Sequence, residues 1–197
     1  MDSAKTMFKN NFNFKIITLS ATIYYLGIII GFYNYSINSD STILKVGIKY
    51  KGLSYYSNLN LISILSNNIF LTIQLIIGSA LFGIPTFSSL IYNGIFFGIL
   101  LANSIESKAT ISEILLLTLP HGIFEIPAII IAGAAGFKIP YEIVRYLAGK
   151  KDRILTKEDI KEYLTLALIS IILIVIAAWI EANVTLKIAK AMLSKGI

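Results

Sequence analysis

The chain has 197 residues, of which 56% are hydrophobic and only 14% charged. That balance excludes an ordinary soluble fold, because no polar surface remains to cover so much apolar side chain. The absence of cysteine excludes disulfides, thiolate metal ligands and cysteine nucleophiles. The net charge of +6 fits loops lying beside anionic lipid, and nucleic acid is not an expected partner.

Lipid cannot hydrogen-bond a backbone, so a spanning segment must be a helix or part of a closed barrel. The apolar runs here are up to 24 residues long and lack two-residue alternation. An all-α, polytopic transmembrane bundle of about five spans is therefore expected, forming a single integral membrane domain over 1–197.

The first run, Ile16 to Tyr35, is too long for a signal peptide and has no small-residue cleavage site after it, so it reads as a retained first span. Its Gly27 and Gly31 form a GxxxG face. The connection Ser36 to Asn60 carries Lys45, Lys49 and Lys51 with Tyr50, Tyr55 and Tyr56, a composition suited to the membrane surface. Span two runs from about Leu61 to Phe82. Gly83 to Thr86, with Pro85, turns the chain into a tight hairpin with span three, Phe87 to Ala102, which carries a second GxxxG at Gly94 and Gly98.

Span four, Ile114 to Phe137, contains Pro120 and Pro127, and a break is expected near Pro120. Ala128, Ala132 and Gly136 make a third small-residue face. A basic helical loop, Lys138 to Glu162, follows in two expected pieces, one opened by Pro140 and one by the capping box Thr156 to Asp159. Span five covers about Leu164 to Asn183 and is followed by an amphipathic tail, Thr185 to Ile197. With the amino terminus cytoplasmic, ten Lys/Arg lie inside and seven outside, so the chain is expected in the cell membrane as a multi-pass protein in that orientation.

Polar groups inside a bilayer are expensive and so need a reason. Asn60, Ser63, Asn67 and Gln74 share one face of span two, with Asn68 beside it. His121 and Glu125 are neighbours on span four, and Glu181 shares a face with Thr185 at the end of span five. If span four restarts at Pro120, then Asn67, His121, Glu125 and Glu181 converge in the outer half of the bundle, with Asn93 below them.

Two uses fit such a cluster. It can fix helix packing through hydrogen bonds, or, with one imidazole and two carboxylates, His121, Glu125 and Glu181 could hold a divalent metal. His121-x-x-x-Glu125 lacks the second histidine of a zinc-hydrolase motif, and no catalytic residue is assigned. The small-residue faces likewise serve either packing of the monomer or association of two copies.

The stretch Pro120-His121-Gly122-Ile123-Phe124-Glu125-Ile126-Pro127-Ala128, followed by Ile131-Ala132-Gly133-Ala134-Ala135-Gly136, resembles the stage II sporulation protein M family. Asn67-Asn68, Gly83, Asn93-Gly94 and Ala177 to Ala182 extend the resemblance over roughly Asn58 to Thr185. It implies a polytopic membrane protein that, in endospore-forming bacteria, works with two other membrane-attached proteins in remodelling peptidoglycan, the hydrolytic chemistry residing in those partners. The expectation is a non-enzymatic scaffold in membrane or envelope remodelling. A small-solute or ion transporter, suggested by a polar seam from Asn67 toward Asn93, and a metal-dependent intramembrane hydrolase are the alternatives.

Overall fold

A computed structural model describes residues 14–37, 60–106 and 110–194. The surface connection expected at Ser36 to Asn60 lies almost wholly outside the described residues. Each apolar run is helical, and no strand occurs among the described residues. Helix α1 is Phe14–Ile37, α2 Leu61–Ile77, α3 Ile84–Glu106, α4 Ile111–Leu147 and α5 Lys157–Ile180. A π-helical turn, Glu181–Thr185, joins α5 to α6, Leu186–Ser194. Five stretches are long and apolar enough to cross a membrane, the last running from Lys157 to Met192.

The helix ends follow from local chemistry. Asn60, Thr110 and Thr156 begin α2, α4 and α5 with reciprocal capping boxes, closed by Ser63, Glu113 and Asp159. At the other end, α2 tightens into a 3-10 turn, Gly78–Leu81, where Thr86 Oγ1 donates to the Leu75 carbonyl at 2.9 Å. Phe82 and Gly83 then take positive φ of 52° and 78°. This left-handed pair reverses the chain, and α3 restarts with Pro85 in its first turn.

The break expected at Pro120 does not occur. Helix α4 runs for 37 residues through Pro120, Pro127 and Pro140, about 55 Å at 1.5 Å per residue. Each proline forfeits one backbone hydrogen bond, whereas a break inside lipid would strand several N–H and C=O groups at once. The separate helical piece expected to open at Pro140 is likewise the continuation of α4.

All four other spans pack on α4, and its middle is small enough to allow it. Ala128, Ala132, Ala134 and Ala135 are fully buried. An added Cβ on Gly133 would collide with Ser20 and Leu90, and one on Gly136 with the Leu75 carbonyl and Thr86. Ser20 Oγ also donates to the Ile130 carbonyl at 2.8 Å, tying α1 to α4.

The two GxxxG faces close on each other. A Cβ on Gly27 would stand 2.6 Å from the Ile91 carbonyl and 3.0 Å from Gly94 Cα, while one on Gly31 would run into Ile95 and one on Gly98 into Ile28. Tyr35 Oη donates to Asn103 Oδ1 at 2.8 Å farther along the same pair. All three small-residue faces are thus used inside the chain.

Where α4 leaves the apolar region, it joins α5 through a buried charge network. Lys138 is 2% exposed and Glu142 1%. Lys138 Nζ donates to Glu142 at 2.8 Å and to Glu162, and lies 3.5 Å from Asp159. Lys151 donates to Glu142 at 2.9 Å and to Asp159, and Arg145 donates to Glu142 at 3.1 Å. The Thr156 amide and hydroxyl complete the shell of Asp159. Burial alone would depress the Lys151 ammonium, but its bonds to Asp159 and Glu142 outweigh this and hold its pKa above the ordinary lysine value. Its contribution is therefore complete below about pH 10.4, the unfolded lysine value, and is lost only as pH rises through the higher folded value.

Two outcomes follow for thermal unfolding in detergent. Gly31→Ala is expected to lose about 1–3 kcal/mol through overpacking, whereas Gly122→Ala, whose Cβ would meet nothing closer than 3.8 Å, is expected to be neutral or slightly stabilising. Lys138→Met is expected to cost about 3–5 kcal/mol by stranding buried carboxylates, whereas Lys161→Met, on the exposed face of α5, should change stability by less than about 0.5 kcal/mol.

Candidate intramembrane polar centre

His121 and Glu125 sit one turn apart on α4, with Nε2 and Oε2 3.7 Å from each other. They lie between Pro120 and Pro127, and Glu125 is roughly 20 Å along the helix from Lys138 at a rise of about 1.5 Å per residue. That places the pair inside the apolar zone, well removed from the charged end. Across from them runs the π-helical turn Glu181–Thr185, whose ladder reaches five residues back, the Leu186 amide donating to the Glu181 carbonyl. Such turns widen a helix locally and re-aim the side chains on it. Here Thr185 Oγ1 lies 3.1 Å from His121 Nδ1, fixing the ring so that Nε2 faces Glu125.

Ligand atoms of His121, Glu125 and Glu181 all lie within 4.8 Å of one another. Around a divalent ion bound at about 2.0–2.2 Å, neighbouring ligands stand about 3–3.5 Å apart, so small side-chain rotations would close the set. The three residues can therefore hold a divalent metal. No lysine or arginine is paired with either glutamate among the described residues, and the imidazole of His121 is the basic group beside Glu125. Tyr24, buried on α1, is within electrostatic reach of Glu125.

The remaining sequence-derived members are placed differently. Asn67 is exposed and points away from the bundle, as do Asn60, Ser63 and Gln74. The inward face of α2 is Ile64, Thr72, Leu75 and Ile76, and a helix burying that stripe must turn Asn67 outward. Asn68 takes the inward place, one turn from Ile64, which packs with Ala178 and Leu186 on either side of the π turn. Among the described residues, Asn68 Nδ2 is the one buried side-chain nitrogen or oxygen without a hydrogen-bond partner. Asn93 bonds back to the Ser89 carbonyl of its own helix at 2.7 Å. The polar seam expected from Asn67 to Asn93 therefore does not form.

The centre assembles without a break at Pro120 because span five is longer than expected. It continues through the π turn into α6, so Glu181 lies well inside the helical rod and meets an unbroken α4 at the depth of Glu125. Sequence reasoning missed Tyr24 and the whole Lys138 network. A tyrosine pair in the middle of an apolar span and the i, i+4 pair Lys138 and Glu142 were the available signals.

A family model described as stage II sporulation protein M matches residues 20–186. An uncharacterized protein of Methanocaldococcus jannaschii is 46% identical over 180 residues, covering 90% of this chain and 98% of its own length. A second uncharacterized protein of the same organism is 43% identical over 82 residues, which is 40% of this chain and 37% of that protein. No solved structure matches. With the family model reaching from α1 into α6, over the glycine faces and the His121 centre alike, this chain belongs to the stage II sporulation protein M family.

Proposed function

We propose that this protein is a non-enzymatic membrane scaffold that works with other membrane proteins in membrane or envelope remodelling. Its amino terminus and the basic connection between α4 and α5 face the cytoplasm. The observation that carries the reading is where the intramembrane polar groups are spent. His121, Glu125, Glu181 and Thr185 join α4 to α5 at one depth, and the Lys138 network joins the same helices at another. Groups used this way make a rigid pair. A transporter would need polar groups strung along a path, and the candidates for that path, Asn67 and Asn93, face apart from it or bond to their own helix.

The second part of the reading is a divalent cation at His121, Glu125 and Glu181. It is favoured by the donor set, an imidazole and two carboxylates brought from facing helices to within 4.8 Å of one another, which a divalent cation would fit. Such an ion would act as a staple, and its loss would loosen α4 from α5.

Liposomes carrying the purified protein are expected to hold proton and divalent-ion gradients as well as empty liposomes. Flux that disappears in a folded His121→Ala variant would overturn the scaffold reading. For the cation, elemental analysis is expected to find about one divalent ion per chain, lost in both Glu125→Gln and Glu181→Gln, with chelator lowering the melting temperature of the native protein only. A metal-free native protein whose stability ignores chelator would reduce the centre to hydrogen-bonded packing.

A further inference from the structure

The outward face of α2 carries a pattern that the other described helices leave unused. Asn60, Ser63, Asn67, Phe70, Gln74 and Ile77 follow one another at alternating spacings of three and four, and all six are exposed. That is a seam with a period of 3.5, the pattern that keeps one helix facing another along a left-handed crossing. Asn60 and Ser63 spend their polar atoms on the cap of α2. Asn67 and Gln74 are different, because neither side chain has a hydrogen-bond partner among the described residues. They lie roughly 9 Å and 20 Å in from Leu61 at a rise of about 1.5 Å per residue, within a stretch long enough to span the hydrocarbon.

An unpaired carboxamide facing lipid is costly, so these two call for a cover that can both donate and accept. We infer that the Asn67–Gln74 face of α2 is a homodimer interface, pairing with the same face of a second copy. Two properties select a second copy. A carboxamide is self-complementary, since its NH2 donates to the oxygen of an identical group. The membrane also gives every copy the same orientation, so a two-fold axis along the membrane normal sets two α2 helices parallel and in register. Asn67 then meets Asn67 of the second copy, and Gln74 meets Gln74. Phe70, 71% exposed, and Ile77, 56% exposed, fill the seam between and beyond them. The glycine faces are already consumed within each chain, so they do not compete with this seam for a second copy.

The chain has no cysteine, so single-cysteine cross-linking in native membranes is unambiguous. Under mild oxidation Phe70→Cys is expected to give a disulfide-linked dimer. Tyr92→Cys, 69% exposed on α3, is expected to remain monomeric. Adding Asn67→Leu and Gln74→Leu touches no buried contact, so the variant should fold normally, and the dimer in detergent should weaken about tenfold or more. Equal cross-linking at positions 70 and 92, or no dimer at either, would overturn the inference. So would an unchanged dimer in the double variant, or cross-linking of position 70 to a different protein in place of a second copy.

Discussion

Because lipid offers the backbone no hydrogen bonds, α4 must stay helical for its whole passage, and every other feature of the bundle is arranged around that continuous rod. It carries three prolines and remains unbroken. Its alanines and glycines let four other helices approach it together, and in a solvent as apolar as leucine such close contact is what holds helices to each other. Two of those neighbours, α1 and α3, are then near enough to lock their own glycine faces. The geometry of the polar centre follows as well, since an unbroken α4 sets the depth at which Glu125 must find its counterpart.

The α4–α5 pair carries two polar stations of opposite character. At the Lys138 station three bases meet three carboxylates, with both oxygens of Glu142 and one each of Asp159 and Glu162 accepting hydrogen bonds. A buried network of that completeness resists separation, because withdrawing one member strands the rest. The His121 station holds two carboxylates and one imidazole, with no lysine or arginine paired to them among the described residues. The first balances its own charges, whereas the second gathers a donor set that a divalent cation would fit.

Helix α2 shows how one amphipathic sequence divides its labour in a membrane. Its inward stripe fills the core and delivers Asn68 toward the π turn, while its outward stripe repeats at 3.5 residues with two unspent carboxamides. In water such a face would be an ordinary solvated surface. In hydrocarbon the same face is a demand for company.

Most of the architecture was legible from local chemistry. Run length and apolarity give the number of spans, the capping box Thr156 to Asp159 marks a helix start, Gly83 and Pro85 mark the hairpin, and the helical spacing of His121 with Glu125 pairs them whatever surrounds them. Tertiary structure decided what depends on phase and depth. Whether Asn67 or Asn68 faces inward turns on a rotation of about 100° per residue, which only the packing of Ile64, Thr72 and Leu75 resolves. Whether Pro120 breaks α4 turns on what surrounds it, because a proline that would end a helix in water is tolerated where no water can repair the break. The sequence by itself determined that the chain lives in lipid and which side chains would be costly there. Only the folded bundle decided which of them pair, because a pairing requires two helices to agree in rotation and depth, and neither is written within one helix.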